Sequence, residues 1–433
     1  MSEEIPESQA QSFTPSPEFL ARKKRMGDAF NLRQPDRVPV APVVLHYYPT
    51  RAMGISNKDA MYQYDRCLQA LKEVTIRHNW DAAPPPGSVP AAKPLEILGV
   101  KQIKWPGGAI SDELPFQMVE NEYMLQSEYD ELLSNTNKFV IEKLWPRIAD
   151  SMASIGHMFE TMSDIPLISL SNFYSLPGFV GGFLSQAGLS ELPEKLRELS
   201  QETQRNGQLM GAYYQEMMHL GYPFVAGAFV FCAFDWISDF LRGLRGTSLD
   251  MYQVPDKLLK AIDMIAPLQI GGTIRMAQQA QVESAVIFLH RGSAGFLSDT
   301  QFERFYWPSL KELILSLINA GIRPIVYNEG DFTSRLKYFQ DLPPKKFVMH
   351  YQDVDRKLAK QLLGDICCFW GNVPSTLMCT GTPEQIKDDV KELINIFGDN
   401  GGLIVDCTLG IPDESRPENV QALTDAVHEF GMY

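Results

Sequence analysis

Ser298-Asp-Thr-Gln-Phe-Glu-Arg-Phe-Tyr-Trp-Pro-Ser-Leu-Lys-Glu-Leu-Ile-Leu-Ser-Leu-Ile-Asn-Ala-Gly-Ile-Arg-Pro-Ile-Val-Tyr-Asn328 is the stretch that decides the fold. Ser298 with Gln301 three residues on has capping-box spacing, so a helix opens there and runs to about Ala320, with Gly321 as its stop. Pro324–Asn328 then forms a short run that is apolar on both faces. That pattern belongs to a strand buried in a parallel sheet rather than to one with a wet face. The same unit recurs: Thr382-Pro-Glu-Gln385 opens a helix to about Phe397, with Gly398 behind it. Short apolar runs at Val38–His46, Pro166–Ser171, Phe224–Phe231, Ala285–His290, Phe347–His350, Ile366–Gly371 and Leu403–Cys407 complete a set of eight strand candidates alternating with helices. Eight such units predict an α/β (β/α)8 TIM barrel. An open doubly wound sheet is the alternative, but no GxGxxG follows a strand and there is no Walker A motif.

Outward from this repeat, Met1–Pro17 is acidic and polar and is expected to be a flexible N-terminal arm. A helix is predicted from about Pro17 to Phe30. Residues 18–433 then form a single barrel, and the irregular, Pro- and Gly-rich stretch 81–137 is too long for an ordinary loop. It is expected to be an insertion over the barrel mouth.

The chain has 433 residues with 39 basic and 53 acidic side chains, a net charge of −14. Without a basic run, nucleic acid is an unsuitable partner. No run of about 18 apolar residues is present, so no membrane span is expected. The N-terminus lacks a signal-peptide core, which points to the cytoplasm. Six scattered cysteines without a CxxC pair exclude a disulfide framework and a zinc ribbon.

In a barrel, function gathers where the strands end at their C-termini. That rule selects His46 and Tyr47 after the first strand, Asp235 and Asp239 after the third, and His290-Arg291 after the fourth. It adds Tyr327, Asn328 and Glu329 after the fifth, His350 after the sixth and Cys407 after the eighth. Glu329 and His350 are separated by 20 residues, about one repeat, and each ends an apolar strand. Neighbouring strands about 4.8 Å apart would let a carboxylate and an imidazole at matching heights share a zinc ion, with Cys407 or His290 as third ligand. The same two residues could instead form a metal-free acid–base pair. Arg291 and Tyr47 are candidates for substrate binding, as is Tyr327. His290, His46, Asp235 and Asn328 are candidates for catalysis, and Asp239 reads as a helix cap.

Several segments in order resemble the uroporphyrinogen decarboxylase superfamily. They are Arg25-Met-Gly-Asp-Ala29, Gln34-Pro-Asp-Arg-Val-Pro-Val40, Phe302-Glu-Arg-Phe-Tyr-Trp-Pro308, Gly371-Asn-Val-Pro374 with Thr380-Gly-Thr-Pro-Glu384, and Gly410-Ile-Pro-Asp413 with Arg416-Pro-Glu-Asn-Val420. The resemblance implies a (β/α)8 barrel with its site at the strand C-termini. Its decarboxylase branch carries an Arg-Gln-Ala-Gly-Arg signature where this chain reads His46-Tyr-Tyr-Pro-Thr-Arg51. Its thiol-methylating branch binds zinc through His-x-Cys where this chain reads Tyr327-Asn328-Glu329. Glu329 and His350 match instead the Glu-x20-His zinc pair of methyltransferases that demethylate methoxylated aromatics. The Glu those enzymes carry fifteen positions earlier is Ile314 here.

The resemblance therefore implies a corrinoid-dependent methyltransferase, the O-demethylase component. It would take a methyl or small alkyl group from an ether-type small-molecule substrate and pass it to cobalamin on a separate corrinoid protein. Zinc, or a protonated His290 or His46, would stabilise the leaving oxygen. The rival is a metal-independent decarboxylase or lyase of a small carboxylic acid, using His46, His290 and Asp235 with Arg291 or Arg242. A homodimer is possible for either.

Overall fold

In the computed structural model, residues 13–162, 174–175, 177–178, 181–182 and 189–433 are described. Most of the expected arm and the strand candidate Pro166–Ser171 lie outside them. The helix Pro17–Phe30 forms where its signals place it: Ser16 caps it by accepting the Phe19 N–H at 3.1 Å, and Pro17 takes the first turn. Both predicted capping boxes are present. Ser298 and Gln301 reciprocate at the start of the helical stretch that runs through Trp307–Asn319, and Thr382 and Gln385 do so ahead of Pro383–Phe397. Among the described residues no helix is long and apolar enough to cross a membrane.

Two short strands, β1 (Ile103–Lys104) and β2 (Gln117–Met118), pair antiparallel. The main sheet is parallel throughout and runs in chain order. Its members are β3 (Ala228–Phe231), β4 (Ser284–Leu289), β5 (Arg323–Asp331), β6 (Val348–Asp353), β7 (Cys368–Trp370) and β8 (Leu403–Ile404). Val40 extends the order beyond β8 through a parallel bridge to Val405. The segment after it is held by single hydrogen bonds: the Asp81 N–H donates to the Val40 carbonyl at 2.8 Å, and the Ala83 N–H to the Pro223 carbonyl, five residues ahead of β3, at 2.9 Å. The wall is thus a (β/α)8 barrel in which residues 80–83 take the position after the first strand. No continuous ladder joins that position to its neighbours among the described residues.

This revises one boundary. The irregular stretch beginning at residue 81 starts inside the wall, because Asp81 is fully buried and held by Arg25, Arg37 and the Val40 N–H. Only after Ala83 does the chain move outward. Its later part reaches the strand ends: Phe116 lies against His46 and Tyr47 (centroids 5.7 and 6.1 Å), and Glu120 lies 3.5 Å from Arg291.

The register of the parallel ladder decides which side chains meet. Phe231, Phe288, Tyr327, His350, Trp370 and Ile404 are successive partners across β3 to β8. Their rings follow one another, with centroids 5.8 Å apart for Phe231–Phe288, 5.3 Å for Phe288–Tyr327, 4.2 Å for Tyr327–His350 and 5.8 Å for His350–Trp370. Residues two further along a strand point the same way, about 6.6 Å nearer the mouth. That next step carries the charged groups.

Candidate active site

Above the aromatic row, His290 follows β4 and Glu329 lies near the end of β5. The His290 Nδ1–H donates to Asp239 Oδ2 at 2.5 Å, and Nε2 lies 3.5 Å from Glu329 Oε1. Burial alone would lower the His290 pKa. The facing carboxylates of Asp239, Glu329 and Asp235 outweigh it and raise the value to about 9, so the ring is an imidazolium at neutral pH. Burial, reinforced by the charge of Asp239, raises Glu329 against the opposing pull of His290 and Arg291.

Asp235 fixes the backbone of this corner. It is fully buried, and its carboxylate accepts the His290 N–H at 3.1 Å, the Arg291 N–H at 2.9 Å and the Tyr306 hydroxyl at 2.5 Å. Burial and then the charge of Asp239 push its pKa up to about 7. Asp239 is not the helix cap its position suggested. It sits in a π-helical turn, Ser238–Arg242, which aims its carboxylate at His290 and, at 3.1 Å, at the Arg291 guanidinium.

The expected zinc set does not assemble. His350 is in register with Tyr327, an offset of 350 − 327 = 23, whereas Glu329 and His350 are 350 − 329 = 21 apart and Glu329 lies in a bulge between Asn328 and Asp331, so Glu329 is beyond the residue that faces His350. His350 is fully buried, and its Nε2–H donates to Asp406 Oδ2 at 2.9 Å. Cys407 is also buried, and burial raises its thiol pKa. No group of three or more His, Cys, Asp or Glu among the described residues is arranged to hold a metal ion. Glu329, His350 and Cys407 therefore do not fit zinc as a shared ligand set.

The other candidates separate. Tyr47 is buried, with its hydroxyl on the Met61 sulfur at 3.1 Å, and points into a small cluster with Ala60 and Val89 instead of the mouth. His46 is exposed beside Phe116. Asn328 is fully buried, and its amide donates to the Val326 and His350 carbonyls at 3.1 and 2.8 Å, which ties strands together. Tyr327 lines the aromatic row, and its buried hydroxyl has no partner among the described residues. Arg242 is held by Asp250 at 2.6 Å and does not face the mouth as a free cation. Tyr306 was not singled out from the sequence. Only its place eight residues after Ser298, on a predicted helix, was legible, and not its reach to Asp235.

The fold and site together are a parallel barrel that gathers a buried carboxylate, a histidine and a second carboxylate where its strands end. Residues 194–430 match the uroporphyrinogen decarboxylase (URO-D) family profile, and the chain belongs to that family. Uroporphyrinogen decarboxylase of Neisseria gonorrhoeae is 26% identical over 188 residues, which cover 42% of this chain and 50% of that protein. The enzyme of Chlorobium luteolum is 27% identical over 156 residues, 35% of this chain and 44% of that protein. The chain thus spans about half the length of the curated relatives it matches. Among solved structures, a methyltransferase from Methanosarcina mazei shares the fold with a TM-score of 0.60 and 14% identity, over 94% of this chain and 98% of that one.

Proposed function

We propose that this barrel transfers a methyl group from an aromatic methyl ether to an external acceptor, with His290 as the acid that protonates the departing oxygen. The observation that carries this reading is the imidazolium held between Asp239 and Glu329 directly above the Phe231–Phe288–Tyr327 row. An aromatic ring would lie along that row, with its ether oxygen toward Nε2, the more loosely paired ring nitrogen. When the methyl carbon leaves, the C–O electron pair stays on oxygen and takes the Nε2 proton. A pKa of about 9 suits this transfer, because a phenol ionises near 10 and the proton moves between nearly matched groups. Asp239 holds the ring in place, and Asp235 holds the backbone that carries it.

A reduced corrinoid on a separate protein supplies the nucleophile that accepts the methyl group. The likeness in fold to a methyltransferase supports the class of reaction, and the occupied Arg242 and Arg291 speak against the decarboxylase alternative. The test is incubation of the purified protein with 2-methoxyphenol and free reduced cobalamin, followed by chromatography for catechol. Catechol formed by the wild type and not by His290→Gln is the expected result. Corrinoid-independent release of CO2 from a small carboxylic acid, with no catechol, would overturn the reading.

A further inference from the structure

The charge balance around the site bears on which methyl ethers can enter. Four carboxyl groups, Asp235, Asp239, Glu329 and Glu120, are linked to only two cationic groups, His290 and Arg291. Four arginines at the strand ends already hold a carboxylate: Arg51 with Glu414 at 2.8 Å, Arg242 with Asp250 at 2.6 Å, Arg291 with Asp239 at 3.1 Å and Arg356 with Asp389 at 2.8 Å. Lys357 is exposed at the rim beyond β6, in a cleft it shares with Asp353, Asp355, Asp389 and Glu392. Residues 1–12 and 160–188 contain no Lys or Arg, so the segments outside the described residues add no such cation.

Below the charges the lining is apolar and partly open: the Phe229 ring is 58% exposed, and Phe231 and Phe288 are half-buried. A neutral polar group is offered there. Tyr327, two residues before Glu329 on β5, has a buried hydroxyl without a partner among the described residues. A carboxylate entering this space would be desolvated beside four acids, with the adjacent Arg291 already paired, and an unpaired buried charge is costly.

Resting on the proposed function, we infer that the substrate is an uncharged methoxyphenol and that the mouth discriminates against methoxybenzoates. Glu120 takes part in this selection, because it occupies the Arg291 guanidinium from the outer side while its other oxygen accepts the Leu244 N–H at 2.6 Å. The discrimination is repulsive in origin: it comes from filled arginines and surplus acids rather than from an added contact to the neutral ligand.

Calorimetric titration at pH 7.5 with 2-methoxyphenol and 4-hydroxy-3-methoxybenzoate tests this, since the two differ by one carboxylate. The neutral compound is expected to bind at least ~10-fold more tightly. In Glu120→Gln the benzoate should gain several-fold while the neutral ligand stays unchanged. Equal or tighter binding of the benzoate by the wild type overturns the inference and leaves the methyl-transfer reading standing. Binding of neither compound overturns both.

Discussion

His290, just past the end of β4, and His350, inside β6, both sit beside a carboxylate, yet they belong to two different kinds of site. On the β3–β5 side, His290 is partly open, and carboxylates face both of its ring nitrogens. On the β6–β8 side, His350 is fully buried, stacked on Tyr327 at 4.2 Å and bonded to Asp406. Asp406 is committed in turn, accepting the Val43 and Cys407 N–H groups at 3.0 and 2.6 Å. Burial raises its pKa, and the bond from His350 offsets part of that rise. The lesson is that residue type and a carboxylate neighbour are shared, while depth along the strand, and with it access to the mouth, is not. One histidine can exchange a proton with a ligand, and the other ties the first strand and the sheet together.

The largest effect that would sharpen this contrast is on rate. His290→Gln should lower methyl transfer by about 10²–10⁴-fold, the usual worth of a general acid. His350→Ala should act through stability instead, costing about 2–4 kcal/mol in denaturant unfolding through a cavity and an unpaired Asp406. If His350→Ala instead removed activity from a protein of unchanged stability, the division between the two sides would collapse. So it would if elemental analysis found stoichiometric zinc lost in both Glu329→Ala and His350→Ala.

A smaller effect concerns pH. The His290 pKa is raised from 6.5 to about 9, so its stabilising share is complete below about pH 6.5 and disappears as pH rises through 9. The transfer rate should fall along the same limb, because the deprotonated ring cannot supply the leaving oxygen. Asp239→Asn should move that limb to lower pH, read from the rate profile or from the imidazole resonance. A limb that does not move would remove Asp239 from its assigned role. Smallest of all, Tyr306→Phe deletes one of three donors to Asp235 and should cost about 1 kcal/mol. Unfolding of the variant measures it, with His350→Ala as the larger reference.

Much of the fold was legible because local rules suffice for it. The helix Pro17–Phe30 and the capping boxes at Ser298 and Thr382 depend on residues within one turn of each other. The doubly apolar runs became β3 to β8 because a parallel strand covered on both faces must be apolar on both. The place of Trp80–Ala83 in the wall, between the Val40 and Pro223 carbonyls, was not legible because the segment is short and contains Asp81. That residue reads as a loop until Arg25 and Arg37 are seen to neutralise it.

By itself, the sequence determined the barrel class, the chain order of the strands and the short list of strand-end residues, His290, Asp235 and Glu329 among them. Only the tertiary structure decided which of these meet. A spacing of 21 between Glu329 and His350 looked like matching height, but the register between β5 and β6 is 23 as far as Asn328 and, after a bulge that includes Glu329, 353 − 331 = 22 at Asp331, so the residue that faces His350 is Tyr327. It likewise took the π-helical turn after β3 to bring Asp239 to His290. Register and turn geometry are set by packing across the whole sheet, so no local pattern in the chain encodes them.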